Sequence, residues 1–439
     1  FWLKMNAQAL AGAYRPPGML AGGAEGGDGR ETSNGGSLGE KRAEKMARMD
    51  PALDPSLLEE RLHFLNVSYS IADYSQSAGQ VVGAYAARLR ASLQTPEDRA
   101  LWWDCDSEQI LEQMRGAVLH NQAFLDELVR DLGECPVGPP GGLGAQTPPP
   151  GVLRVPRGHR VDAGNCSKTR STLRQFARDW SREGARERDL CYGPLLRALE
   201  RYMPLSSFPG PGRPRVLTPG SGLGRLTFEA AVRGYFAEGN EFSYHMLIGT
   251  AWILSEAGAP LATTIYPYAL DTSGRRGMCD HLQPVRIPDV CPGSLLDPDG
   301  SFGEMSMRSG EFVEVYQQQV GEWDAILTPF FIDTAHNIFL YIRVIACILR
   351  PGGLWANLGP LLWHYAPEGG GTDDAVSVEL SWEEIRPAVE KYFEIKECSQ
   401  QDGRYTDNTN GGKRKLYRCL VFAAVRNEVP AEGRSSLVW

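Results

Sequence analysis

The sequence has 439 residues, with 42% hydrophobic and 23% charged side chains, 45 basic and 54 acidic residues, and a formal net charge of -9. A chain of this length and apolar content can bury a sizeable core, which excludes a peptide-like or wholly disordered protein. The acidic balance argues against nucleic acid or a membrane as a partner, and no window approaches the roughly 18 to 20 apolar residues of a membrane span. We therefore expect a soluble protein of the cytoplasm, with the nucleus left open.

Nine cysteines are scattered along the chain, and none is part of a Cys-x-x-Cys pair. This usage is typical of a reducing compartment and predicts buried thiols without a disulfide framework. The nearest approach to a metal cluster is Cys279, His281 and Cys291, which lack a fourth ligand at standard spacing. We therefore assign no metal.

The part of the chain before residue 215 is predicted to contain two helical stretches, each preceded by a segment rich in Gly. Residues 1–49 predict a flexible extension that begins with Phe1 and not with Met, which leaves the start of the protein open. Residues 50–134 predict an all-helical region, marked best by the apolar spacing of 107–132. Residues 135–160 are rich in Pro and Gly and predict an insert or linker. The charged stretch 167–202 is again helical, and its composition alone indicates a solvated face.

Residues 215–427 alternate β-like and helical runs, and 428–439 form a tail. The predicted strands are 215–218, 235–239, 324–328, 354–358 and 420–425, and the predicted helices are 226–233, 242–256, 338–349 and 382–391. This alternation predicts an α/β fold with a parallel, doubly wound sheet. Ligands of such sheets gather at the carboxyl ends of the strands, so the residues that follow each strand are the candidate site residues.

A glycine-rich turn, TPGSGLG at 218–224, follows the first predicted strand and leads into a helix. Glycines let a backbone approach a ligand closely. Glu241 follows the next strand, about twenty positions after Gly220, where an acidic side chain accepts hydrogen bonds from ribose hydroxyls. The pair fits a dinucleotide site and a methyl-donor site equally, and a plain tight turn with a solvated carboxylate is the structural alternative.

Later segments distinguish between these readings. Glu311 follows a polar segment, and LRPGG at 349–353 joins a helix to a strand, an order that resembles class I S-adenosylmethionine-dependent methyltransferases. More specific segments resemble the carnosine N-methyltransferase family: STLRQFARDW at 171–180, GNEFS at 239–243, FFIDTAHN at 330–337 and NLGPLLWHY at 357–365. The resemblance covers 168–426 well and 57–132 weakly. It implies a Rossmann-like methyltransferase sheet with an N-terminal helical unit, S-adenosylmethionine as the methyl donor and the imidazole of carnosine as the acceptor, with anserine as the product.

The resemblance also implies the residues that bind the cofactor. Gln175 and Arg178 match the Gln-x-x-Arg pair of the family, which turns 161–214 from a solvated face into a helical lid over the cofactor. Arg178 would pair with the carboxylate of the donor. Gly220 would lie under the cofactor and Glu241 on its ribose. Glu311 stands where the family has an aspartate that contacts the adenine.

On the acceptor side, the resemblance implies Asp333 and His364 as catalytic and substrate-binding residues and Tyr417 as a substrate-binding residue. Methyl transfer from a sulfonium is an in-line displacement, which needs a neutral nucleophile with its lone pair aimed at the methyl group. A carboxylate that accepts the imidazole N–H fixes the tautomer and stabilises the cation that forms. The structural alternative for Asp333 is an N-cap of the following helix. Lys415 and Leu416 make the tyrosine cluster around Tyr417 thinner than in the family.

Several functions remain open from the sequence. The acceptor is the small molecule carnosine or another histidine dipeptide, or alternatively a histidine of a peptide or protein. An interaction module without catalysis on a methyltransferase fold is an alternative from a different class. A nicotinamide dehydrogenase is the weakest reading, because LRPGG does not belong to it. A homodimer is compatible with the sequence.

Overall fold

The computed structural model describes residues 55–104, 107–130, 153, 155, 156, 158–208, 212–292, 302–366 and 378–431. The predicted extension at 1–49, most of the Pro- and Gly-rich insert and most of the tail lie outside these residues. Among the described helices, none is long and apolar enough to cross a membrane.

Four helices form the N-terminal region: α1 (Pro55–Ala72), α2 (Tyr74–Ser92), α3 (Pro96–Asp104) and α4 (Ser107–Leu128). The apolar spacing that predicted α4 corresponds to a buried stripe, since Leu111, Met114, Val118 and Leu125 are at most 3% exposed. Helix α4 ends at Leu128, earlier than predicted. The stripe belongs to a hydrophobic cluster that continues into the following α/β unit.

Three helices occupy the charged stretch: α5 (Ala163–Trp180), α6 (Ala185–Cys191) and α7 (Gly193–Tyr202). Asp162 caps α5 by accepting the Asn165 N–H at 2.9 Å. Composition alone predicted that the charged side chains of this stretch face solvent. This prediction is wrong for one side of α5 and α6, because Arg178, Asp179 and Glu187 are at most 8% exposed. Opposite charges lie close together there, which is the usual way in which charged groups are buried.

The strands are β1 (Arg215–Pro219), β2 (Phe236–Glu241), β3 (Thr263–Ile265), β4 (Val285–Ile287), β5 (Met305–Ser309), β6 (Trp323–Pro329), β7 (Leu349–Gly359), β8 (Phe393–Arg404) and β9 (Leu416–Arg426). Seven of them form one sheet in the order β5-β2-β1-β6-β7-β9-β8, and β3 and β4 form a separate pair. The prediction of a parallel sheet is confirmed from β5 to β7 and is wrong for β9, which runs antiparallel to both neighbours. The chain passes from Arg404 at the end of β8 to Leu416 at the start of β9 without a crossover helix, which an antiparallel pair does not need.

The remaining helices are α8 (Arg225–Val232), α9 (Tyr244–Ser255), α10 (Phe312–Tyr316), α11 (Ile338–Ile348) and α12 (Trp382–Tyr392). The helices and the sheet enclose two further hydrophobic clusters. This gives a doubly wound fold with the N-terminal helical unit packed against it. The strand order reverses between β1 and β6, so the ligand site of such a fold lies at the carboxyl ends of these two strands.

Candidate active site

The glycine-rich turn follows β1 at the point where the strand order reverses. Gly220, Gly222 and Gly224 have φ angles of 64°, 57° and 78°, a region that side chains with a Cβ rarely adopt. A Cβ at Gly220 would also lie 2.8 Å from the ring of Phe331. The backbone conformation and the close approach of Phe331 therefore both require glycine at position 220.

Glu241, at the end of β2, lies against this turn. Its carboxylate accepts the backbone N–H groups of Gly222 at 2.8 Å, Phe242 at 2.9 Å and Ser243 at 2.8 Å. Burial raises the pKa of Glu241, and these three N–H groups oppose that shift. The carboxylate is thus held beside the glycine turn, and its contact with a ribose remains a prediction.

Gln175 and Arg178 of α5 line a cavity together with Gly220, Phe330 and Tyr405. Gln175 Nε2 donates to the hydroxyl of Tyr405 at 2.5 Å. The guanidinium of Arg178 lies 4.6 Å from the centre of the Tyr405 ring and 5.6 Å from that of Phe330. Helix α5 therefore covers the glycine turn with the two side chains that the sequence predicted, and their contact with a cofactor remains a prediction.

Arg178 is fixed by buried acidic neighbours. Its Nε lies 2.9 Å from Glu187 Oε1, and its Nη1 lies 3.8 Å from Asp179 Oδ1. The hydroxyl of Tyr192 donates to the same Asp179 oxygen at 2.8 Å. Burial disfavours the charged form of Arg178, but its neighbours outweigh burial and raise the pKa of Arg178 well above its ordinary value; in order of size they are Tyr192, Asp179, Tyr405 and Glu187. Arg178 therefore keeps its charge inside the protein.

Two residues of this arrangement were not predicted from the sequence. Glu187 also accepts the N–H groups of Thr406 at 2.8 Å and Asp407 at 3.3 Å, which joins α6 to the segment that carries Tyr405. In the sequence Glu187 is one charge among many, and no pattern distinguishes it. Tyr405 could have been considered with Tyr417, since both follow the last predicted helix.

Glu311 follows β5 and caps α10 by accepting the N–H of Glu314 at 2.9 Å. Burial raises the pKa of this carboxyl group. Asn240 connects the loops after β2 and β5, because its side chain donates to the carbonyl of Gly310 at 2.9 Å. Glu311 and Glu241 thus follow neighbouring strands, and contact of Glu311 with an adenine remains a prediction.

Asp333 follows β6 in a short turn, Ile332–Thr334, and is 2% exposed. Its Oδ2 accepts the N–H of Leu362 at 3.1 Å, whereas its buried Oδ1 has no hydrogen-bond partner among the described residues. Burial raises the pKa of Asp333, while the Leu362 N–H and His364 lower it. The alternative role as the cap of α11 is wrong, because Asn337 accepts the first N–H groups of that helix. A buried acceptor oxygen without a partner is suited to the N–H of a ligand.

The loop after β7 brings His364 next to Asp333, with the backbone N–H of His364 donating to the backbone carbonyl of Asp333 at 2.9 Å. Phe330 and Trp363, in the loops that carry these two residues, both have a φ of 51°. Such backbone strain in residues other than glycine is concentrated at functional sites. Tyr417 of β9 contacts Phe330 edge to face, with 6.3 Å between ring centres. Asp333, His364 and Tyr417 are therefore brought to one edge of the sheet.

The three residues considered as metal ligands do not form a site. Cys279 is exposed, whereas Cys291 and His281 are buried. In the part of the chain that the structure describes, no group of three or more His, Cys, Asp or Glu side chains could hold a metal ion.

The doubly wound sheet with one reversed strand, the glycine turn where the strand order reverses and the carboxylate after β2 define a Rossmann-like class I methyltransferase fold. A family model described as carnosine N-methyltransferase matches residues 157–428. The chain belongs to the carnosine N-methyltransferase family.

Relatives with this name occur in distant organisms. The mouse carnosine N-methyltransferase is 39% identical over 260 residues, which are 59% of this chain and 62% of the mouse protein. The Drosophila melanogaster protein named carnosine N-methyltransferase unmet is 34% identical over 336 residues, 74% of this chain and 72% of that protein. The Dictyostelium discoideum relative is 36% identical over 270 residues, 61% of this chain and 57% of that protein. The chain thus spans about 62% of the length of the mouse relative.

Proposed function

We propose that the protein transfers a methyl group from S-adenosylmethionine to the imidazole of carnosine, β-alanyl-histidine, to give anserine, and that other histidine dipeptides are also acceptors. The observation that carries this proposal is Asp333, a buried carboxylate with one oxygen lacking a partner among the described residues, adjacent to His364. Membership of the family supports it, as does the close approach of Phe331, two residues before Asp333, to Gly220 of the glycine turn.

The residues around the glycine turn suit S-adenosylmethionine. The glycine turn follows β1 where the strand order reverses, the position at which such sheets bind their ligands, and Glu241 presents a carboxylate at the end of β2 for ribose hydroxyls. Arg178 keeps its charge and would pair with the amino-acid carboxylate of the donor, with Gln175 beside it. When bound, S-adenosylmethionine supplies an electrophilic methyl group on a sulfonium.

The acceptor side holds and orients the imidazole. Asp333 Oδ1 would accept the N–H of the ring, which directs the lone pair of the other nitrogen away from the carboxylate. The raised pKa of Asp333 makes this carboxylate a better proton acceptor than an exposed one, so it can take the ring proton once the ring has become cationic. Phe330 and Tyr417 form an apolar wall that helps to exclude water.

The direct test is mass spectrometry of carnosine incubated with the protein and labelled S-adenosylmethionine. We expect one methyl group on the imidazole ring and none with carnosine whose ring is blocked. In the Asp333→Ala variant we expect turnover to be lost while donor binding persists. Unchanged turnover in this variant would refute the role of Asp333, and a protein that does not bind the donor would favour the interaction module.

A histidine of a peptide or protein is the second candidate acceptor. His364 and Tyr365, in the loop next to Asp333, are exposed. This side of the site therefore leaves room for the residues that flank a histidine in a peptide or protein acceptor. Comparing carnosine with longer histidine peptides at equal concentration separates the two acceptors. We further propose that the protein acts in the cytoplasm, with the nucleus as the alternative, which cell fractionation would test.

A further inference from the structure

A second cavity, of about 190 Å³, is lined by side chains that the proposed reaction does not use. We call it the basic pocket and define it by Arg174, Arg275, His281, Lys413 and Lys415. The family resemblance implies no role for these side chains.

The basic pocket adjoins the acceptor site through three segments. Arg174 directly precedes Gln175 on α5, and Thr406, which also lines the pocket, directly follows Tyr405. Lys415 directly precedes β9, whose second residue is Tyr417. Tyr405 and Tyr417 both contact the ring of Phe330, three residues before Asp333, at 5.0 and 6.3 Å. The pocket therefore borders the aromatic wall of the acceptor site.

Each acidic side chain that lines the basic pocket has positively charged or hydrogen-bonding partners. Asp271 forms an ion pair with Arg174, and Asp407 lies 3.7 Å from Arg404 and 3.5 Å from Arg414. An oxygen of the Asp280 carboxylate accepts two backbone N–H groups, at 2.7 and 2.9 Å.

The positive charges that line the basic pocket outnumber the negative ones. Among the described residues, Lys413, Lys415 and Arg275 form no ion pair, and Arg275 donates only to neutral oxygens, those of Thr272 and Tyr85. The pocket therefore carries excess positive charge and favours an anion.

His281 adds a neutral polar group to the wall of the pocket. It is 1% exposed, and neither ring nitrogen has a hydrogen-bond partner among the described residues. Burial, helped by the nearby charge of Arg275, lowers the pKa of His281 to about 4. The ring is therefore neutral at neutral pH and offers one N–H donor. Buried polar groups without partners are rare in proteins, and a bound ligand is one reason for them.

We propose that the basic pocket binds the carboxylate of the histidine dipeptide whose ring lies at Asp333. This inference rests on the proposed function and names the part of the acceptor that the site selects. The carboxylate of carnosine is attached to the carbon next to the one that carries the ring, so a pocket bordering the ring site is suitably placed. Lys413 and Lys415 supply the charge, and the N–H of His281 supplies a directed hydrogen bond.

The test compares carnosine with β-alanylhistamine, which is carnosine without its carboxylate. KM is measured with S-adenosylmethionine, and Kd is measured by calorimetry on protein loaded with S-adenosylhomocysteine. Loss of a charge-assisted contact is expected to raise both constants at least tenfold for β-alanylhistamine. The double variant Lys413→Met, Lys415→Met should raise both constants similarly for carnosine and leave those for β-alanylhistamine within about twofold. Lys391→Met, at the end of α12, is the control and should behave like the wild type.

The outcomes separate this inference from the proposed function. Equal constants for the two ligands, or a double variant that weakens both equally, would overturn the inference. If neither compound is methylated but calorimetry still shows that binding depends on the carboxylate and on the lysines, the methylation proposal fails and the pocket assignment is supported. Absence of binding for both compounds would overturn both proposals.

Discussion

At the residue scale, the surroundings of Asp333 are the most informative. One oxygen of this carboxylate accepts the Leu362 N–H, and the other is buried without a partner among the described residues. Such an arrangement costs stability, because burial disfavours the charged form more than one hydrogen bond restores it. Side chains of this kind are typical of sites that trade stability for function.

The free-energy cost of burying the charged Asp333 carboxylate predicts how the stability of the protein depends on pH. Burial raises the pKa of Asp333, so the native state binds this proton more tightly than the unfolded chain does. The destabilisation is therefore absent below the ordinary pKa of an aspartate and complete above the raised pKa. We expect Asp333→Asn to gain stability relative to the wild type as pH rises from 4 to 7, by about 1 kcal/mol. Urea unfolding across this range measures the difference, and a difference that is constant with pH would contradict the explanation.

At this scale the family resemblance predicted most of the candidate site, and many of the predicted residues lie at or just after the ends of strands. Asp333, His364, Glu241 and the glycines all occupy such positions. Glu187 and Tyr405 were not identified, because their roles arise from contacts between segments far apart in the chain. No local pattern records contacts of this kind.

At the element scale, a substitution in the turn after β1 tests why glycine is needed there. Glycine is required either to leave room for Phe331 or only to allow a positive φ. Gly220→Ala combines an unfavourable φ of 64° with a Cβ placed 2.8 Å from Phe331. We expect a loss of about 1–3 kcal/mol in stability and at least tenfold weaker binding of S-adenosylhomocysteine. Gly321→Ala is the matched control, since its φ is 66° and its Cβ would meet nothing within 4 Å. Equal donor binding by the two variants would contradict the requirement for space at Gly220.

The junction of α5, α6 and the Tyr405 segment depends on the charge of Glu187. Glu187→Gln replaces one carboxylate oxygen with an NH2 group of similar size and removes the charge that is paired with Arg178 at 2.9 Å. Breaking a buried ion pair costs about 3–5 kcal/mol, so we expect a lower Tm and weaker donor binding. Glu183→Gln, an exposed neighbour, is the control. If the two variants have the same Tm and the same Kd for the donor, Glu187 does not position Arg178.

Sequence patterns predicted some of the strands and missed others. The buried strands β1, β2, β6, β7 and β9 were predicted, with ends that differ by a few residues. Strand β5 was missed because most of its side chains are half-buried and show no alternation, and β8 because it is a mostly exposed edge strand. A period-2 signal requires one face in the core and one in water, which neither strand has.

At the scale of the whole molecule, the N-terminal helices share a core with the methyltransferase fold. The ring of Phe124 in α4 lies 5.1 Å from Phe176 in α5 and 5.1 Å from Trp252 in α9, edge to face in both cases. Since Phe176 directly follows Gln175, this contact also supports the helix that covers the glycine turn. The two parts should therefore unfold together.

This cooperativity is testable by calorimetry. We expect a single transition for the wild type and, for Phe124→Ala, a single transition destabilised by about 3–5 kcal/mol. Leu119→Ala, on the exposed side of α4 at 65% exposure, should change stability by less than about 0.5 kcal/mol. Two separate transitions, of which Phe124→Ala lowers only one, would show that the helical unit unfolds independently.

The position of β9 has a consequence for the order in which the protein is made. Strand β9, which follows the other six strands of this sheet in the chain, does not extend the sheet but lies between β7 and β8. It also carries Tyr417, and the connection before it carries Tyr405 and Lys415. On the ribosome, β7 therefore lacks its neighbour until residues up to Arg426 have emerged. The aromatic wall of the proposed acceptor site then forms late, because Tyr405 and Tyr417 emerge with or just before β9. A nascent chain stalled before β9 would expose one edge of β7, which makes this stage of synthesis the one most in need of protection from aggregation.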